Sequence, residues 1–117
     1  MRIHHVALRV ADLARAASFY EGVLGLSRLR EHAGPDGPRS IWLRAGEAVL
    51  MLERALAGEG ADQGSGHLLA FAVEDLAACE RRLTDAGVAI DGRTAATLYV
   101  RDPDGHRVGL SVYVIER

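Results

Sequence analysis

Apolar and polar residues alternate with period two at Val6, Leu8 and Val10, and again at Leu69, Phe71 and Val73. Strict alternation marks a half-buried strand. Each stretch runs into the same triplet, Asp12-Leu13-Ala14 in one place and Asp75-Leu76-Ala77 in the other. The spacing then becomes helical. Leu13, Ala16, Ala17, Tyr20 and Leu24 share one stripe, as do Leu76, Cys79, Leu83 and Ala86. Asp12 and Asp75 stand where an N-cap belongs, with a carboxylate for the free N–H groups of the first turn. Gly25 and Gly87 suit left-handed helix stops.

The two patterns are copies of each other. Residues 4–14 overlay residues 67–77 without a gap, and the second helix is one residue shorter. The strands expected after the first helix are 26–31, 40–44 and 48–53, with a turn cluster at 34–38. After the second helix they are 88–91, 97–101 and 107–114, with a tight turn at Asp102-Pro103-Asp104-Gly105. The chain therefore divides into a module at about 1–56, a Gly-rich linker at about 57–66 and a second module at about 67–117.

Composition narrows the function. At 117 residues the chain is one domain's length. Net charge is −2 and aromatics are 5%. Neither the basic face nor the stacking residues of a nucleic-acid binder stand out. No apolar run reaches the roughly 20 residues that span a bilayer. No membrane role is expected, and cytoplasm is the expected compartment. All 14 basic residues are arginine. This removes lysine nucleophiles and the P-loop. The single cysteine, Cys79, permits no intrachain disulfide; its helical spacing reads as core. His106, after Gly105, reads as an exposed turn residue.

The stretch HHVALRVADLARAASFYEGVLGL resembles the opening of the vicinal oxygen chelate superfamily, and DPDGHRVGLSVY resembles its closing turn and strand. That group includes glyoxalases, bleomycin-resistance proteins and extradiol dioxygenases. The resemblance covers both modules. It implies an α+β fold of two βαβββ modules forming an open curved-sheet barrel, a ligand cavity and a homodimer. In the enzymes it implies a divalent metal such as Zn, Ni, Mn or Fe.

The metal positions that the resemblance implies are poorly kept. His5 matches the first-strand histidine. The matching position in the second module is Leu68; His67 is one residue out of register, which in a strand means the opposite face. The final-strand carboxylate is replaced by Gly109, in Val108-Gly109-Leu110. The fourth-strand glutamate is replaced by Met51, with Glu53 two residues on and on the same face. One displaced set remains for a metal: His5, Glu53 and a bulged His67. His5 and Glu53 are also the candidates for acid–base work.

Strand parity places Arg9, Trp42, Arg44, Tyr99, Arg101 and Tyr113 on the ligand side with His5. Aromatic walls with a few directed polar groups suit a small molecule. Arginines favour carboxylate or phosphate. The same residue types also serve as rim residues stretched over apolar surface. Two functions follow. One is a bleomycin-resistance-like protein that binds a small molecule, anionic ones included, without the full metal site. The other is a metal-dependent lyase, isomerase or dioxygenase with the displaced ligands.

Overall fold

The computed structural model describes residues 1–56 and 66–115. The expected linker lies outside the described residues, apart from Gly66. The chain divides into two compact units, Met1–Glu59 and Gly60–Arg117.

In the first unit, β1 (His5–Arg9) leads into α1 (Leu13–Ala17), continued by a π-helical segment (Ser18–Val23). Then come β2 (Ser27–Gly34), β3 (Gly37–Ala45) and β4 (Ala48–Glu53). They form one sheet in the order β1-β4-β3-β2, with β1 and β4 parallel. Asp12 caps α1, its carboxylate accepting the Arg15 N–H at 3.0 Å. Leu13, Ala16, Ala17, Phe19 and Tyr20 are buried, as are Ile41, Leu43, Leu50 and Leu52 on the sheet's helix side.

The second unit repeats the plan. β5 (Leu68–Ala72) is followed by α2 (Leu76–Asp85), β6 (Gly92–Arg93), β7 (Thr97–Arg101) and β8 (Arg107–Ser111). The sheet order is β5-β8-β7-β6, with β5 and β8 parallel. Asp75 accepts the Ala78 N–H at 3.1 Å. Leu83, Leu98, Val100, Val108 and Leu110 make the core. Cys79 is partly buried, and desolvation pushes its thiol pKa up. No helix among the described residues is long and apolar enough to cross a membrane.

The one-residue difference between the two helices has a structural outlet. Gly87 N bonds Thr84 O at 3.0 Å and Val88 N bonds Leu83 O at 2.8 Å, with Gly87 at φ 73°. This is the Schellman stop. In the first unit the extra residue is taken up as a wider coil: Leu24 N reaches back five residues to Phe19 O, at 3.0 Å. Gly25 then takes φ 82°.

Several expected bounds shift. The turn cluster 34–38 tightens to Pro35 and Asp36, because Gly37 at φ 107° lets the hairpin reverse there and Pro38 enters β3 beside a bulge. β2 and β3 are accordingly longer than expected. The strand expected at 88–91 does not form, because Val88 is consumed in the Schellman stop. The chain rejoins the sheet where Asp91 N bonds Tyr99 O at 2.7 Å, and β6 is Gly92–Arg93. β8 ends at Ser111, not at residue 114. There the backbone leaves the ladder: Val112 N bonds Ala96 O at 2.9 Å, and Ser111 Oγ accepts the Tyr113 N–H at 3.0 Å. His106 is half-buried rather than exposed, since its N–H is drawn to Asp102 Oδ1 at 2.8 Å.

Candidate functional site

The strand registers sort side chains onto the sheet faces. In the first sheet His5 pairs with Val49, Ala7 with Met51 and Arg9 with Glu53. Across β3, Arg44, Trp42 and Ser40 stand opposite Val49, Met51 and Glu53. Ile41 and Leu43 are buried on the other side, against the helix. His5, Arg9, Trp42, Arg44 and Glu53 therefore share the face away from the helix.

That face has an organised polar end. Glu53 Oε1 accepts from Ser40 Oγ at 3.0 Å and from Trp42 Nε1 at 3.4 Å. The His32 ring leans on Trp42 with centroids 4.7 Å apart, and the Arg30 guanidinium lies 5.9 Å from the Trp42 ring centroid. His32 Nε2 is buried without a hydrogen-bond partner among the described residues. His32 and Arg30 escape a reading of the sequence because β2 is bulged twice, so alternation does not carry through it.

His5 stands apart from Glu53. Its register partner Val49 lies four residues before Glu53, roughly 13 Å along a strand. The His5 ring is exposed and faces His4, Nδ1 to Nδ1 at 2.9 Å. Arg9 donates to Leu56 O at 3.4 Å.

In the second sheet, Gly109 stands between Ala70 and Tyr99, and Tyr99 pairs with Gly92. A Cβ on Gly109 would stand 3.2 Å from Ala70 Cβ and 3.5 Å from Tyr99 Cε1. The space beside this backbone is taken by side chains of its own sheet. The Arg107 guanidinium lies 4.1 Å from the Tyr99 ring centroid. Arg107 Nε and Arg101 Nε both reach Asp91 Oδ2, at 3.1 and 3.3 Å. Arg107 and Asp91 were not singled out by the sequence. Arg107 is in register with Leu68 and Arg101, and the signal was available in the parity of β8.

Tyr113 lies beyond β8 and is 71% exposed, so the strand parity that put it beside Tyr99 and Arg101 does not extend to it. His67 precedes β5 and is exposed. Leu68, which the resemblance puts at the second-module ligand position, is the first residue of β5 and is 47% exposed.

The residues do not fit a resident metal of the kind the family implies. Met51, Leu68 and Gly109 offer no nitrogen or carboxylate donor. No group of three His, Cys, Asp or Glu side chains among the described residues could hold an ion.

Residues 2–110 match the family model for the Glyoxalase/Bleomycin resistance protein/Dioxygenase superfamily. The chain is 34% identical to the lactoylglutathione lyase of Salmonella typhimurium, with 94% of this chain and 91% of that protein covered. It is 30% identical to the lactoylglutathione lyase of Neisseria meningitidis serogroup A, with 92% and 88% covered. Among solved structures it resembles the trypanothione-dependent glyoxalase I of Leishmania major at 26% identity and TM-score 0.78, covering 95% of this chain and 86% of that one. It also resembles TnmS3, an antibiotic binding protein from Streptomyces sp. CB03234, at 25% identity and TM-score 0.71, covering 95% and 94%. With the repeated strand–helix–three-strand plan of its two units, the chain belongs to the Glyoxalase/Bleomycin resistance protein/Dioxygenase superfamily.

Proposed function

We infer that this protein binds a small molecule on the helix-free faces of its sheets, without a resident metal. The observation that carries the reading is at Gly109. The position where the resemblance places a carboxylate has no side chain, and Ala70 Cβ would stand 3.2 Å from a Cβ added there. Aromatic and arginine side chains take the place of ligands: Trp42, Arg9 and Arg44 in one sheet, Tyr99 and Arg101 in the other. Such a mixture of flat apolar surface and directed donors suits an amphipathic ligand. The resemblance to an antibiotic binding protein supports the same reading. Tyr113 is an accessory contact in this proposal, since it projects from the end of β8. A homodimer, expected for the family, is part of the proposal.

The identities of about one third to proteins named lactoylglutathione lyase favour a second reading, a metal-dependent lyase. It would call on His5, Glu53 and His67, and on a divalent ion. The donor chemistry at Met51, Leu68 and Gly109 weighs against it.

The test is a thermal-shift screen of metabolite-sized compounds against chelator-treated protein, followed by calorimetry of the hits. The reading expects at least one compound to raise the Tm equally with and without chelator. A ligand whose effect vanishes on chelation and returns with metal would favour the lyase.

A further inference from the structure

We propose that Arg107, held over the Tyr99 ring and oriented by Asp91, is a receptor for a single oxyanion, the carboxylate or phosphate group of the bound molecule. The inference rests on the binding reading above and names the ligand's chemistry.

The guanidinium is fixed before a ligand arrives. Its Cζ lies 4.1 Å from the Tyr99 ring centroid, and its Nε donates to Asp91 Oδ2 at 3.1 Å. Asp91 is placed by its own N–H, bonded to Tyr99 O at 2.7 Å. One side of the guanidinium is thus committed. The other end, Nη1 and Nη2, has no hydrogen-bond partner among the described residues. Paired Nη donors match the two oxygens of a carboxylate or phosphate.

The charge is in excess. Asp91 Oδ2 receives both Arg107 and Arg101, so two guanidinium charges meet one carboxylate. Arg101 is held as well by Gly105 O, at 3.2 Å from its Nη1. The nearby Asp102 carboxylate is turned into its own turn, where Oδ1 accepts the Asp104 and His106 N–H groups. The Arg107 side chain is 34% exposed. That leaves it open enough to be reached.

A glycine leaves the guanidinium its room. A Cβ on Gly92 would come within 3.1 Å of Arg107 Nη2. The carboxylate lost at Gly109 is relevant here too. A glutamate one register step from Arg107 on this face would compete for the guanidinium.

The test is calorimetric titration of the chelator-treated full chain with benzoate, benzamide and inorganic phosphate. Wild type, Arg107→Ala, Arg107→Lys and Gly92→Ala are compared, with circular dichroism as the check on folding. The proposal expects benzoate or phosphate to bind at least about tenfold more tightly than benzamide. That preference should vanish in Arg107→Ala and fall in Arg107→Lys, which keeps the charge but not the fork. Gly92→Ala, which leaves Arg107 in place but crowds its Nη2, should weaken the anion without unfolding the protein. Benzoate bound more tightly than phosphate assigns a carboxylate; the reverse assigns a phosphate. Equal binding of benzoate and benzamide overturns the anion receptor while leaving a metal-free binder standing. Anion binding unchanged in a folded Arg107→Ala overturns it too. The same titrations on wild type without chelator are the control: binding seen only in the untreated protein overturns the binding reading itself.

Discussion

The edge of the Tyr99 ring lies against the backbone of Gly109, 3.5 Å from where a β-carbon would be. A glycine on β8 thus stands, beside a tyrosine of β7, where the resemblance places a metal ligand. This predicts that Gly109→Glu will not restore a metal site. Its Cβ would meet Ala70 Cβ at 3.2 Å, and overpacking of this kind costs about 1–3 kcal/mol. Thermal melts with and without zinc or nickel check it. A lower Tm that metal does not rescue is expected.

The helix caps give a prediction within each unit. Asp12 and Asp75 each accept one first-turn N–H. Asp12→Ala and Asp75→Ala should each cost about 1 kcal/mol in urea unfolding, while the corresponding Asn variants should hold near wild type.

The π-helical segment offers a stabilising change. Gly22 lies inside it, and a Cβ there would meet nothing within 4 Å. Gly22→Ala should gain about 0.4–1 kcal/mol by reducing the freedom of the unfolded chain. Chemical denaturation measures it; a loss of stability would show that the wide coil depends on the glycine.

One ion pair sets a pH prediction. Arg93 donates to both Glu80 oxygens, at 3.2 and 3.0 Å, and holds the Glu80 carboxyl below its ordinary pKa. A carboxyl whose folded pKa is depressed stabilises the fold above its unfolded pKa, and that stability is lost as pH falls through the folded value. The acid limb of a stability–pH curve should therefore be shallower in Glu80→Gln. The pair is exposed, so the difference should shrink in high salt.

Much of the fold is legible in the sequence, for a physical reason. Alternation at Val6, Leu8 and Val10, the Asp caps and the glycine stops are local signals, and the structure places all of them as read. The repeat supplies the rest, since a strand seen in one copy is sought in the other. The failures are also local. Val88 looks like the start of a strand but closes a helix. Tyr113 keeps the alternating pattern after β8 has ended. The strand registers put Trp42 and Arg44 on one face of the first sheet, and Tyr99 and Arg101 on one face of the second. Parity misses His32, because bulges break the period in β2. Asp91 is missed because its role depends on a turn rather than a strand.

The most direct test of the account is metal stoichiometry. Untagged protein would be analysed as purified, then after chelation and refilling with zinc, nickel, manganese or iron, with His5→Ala alongside. The account predicts no stoichiometric metal under any loading and no difference between wild type and His5→Ala. About one metal per chain in wild type, lost in His5→Ala, would contradict it and restore the metal-dependent lyase.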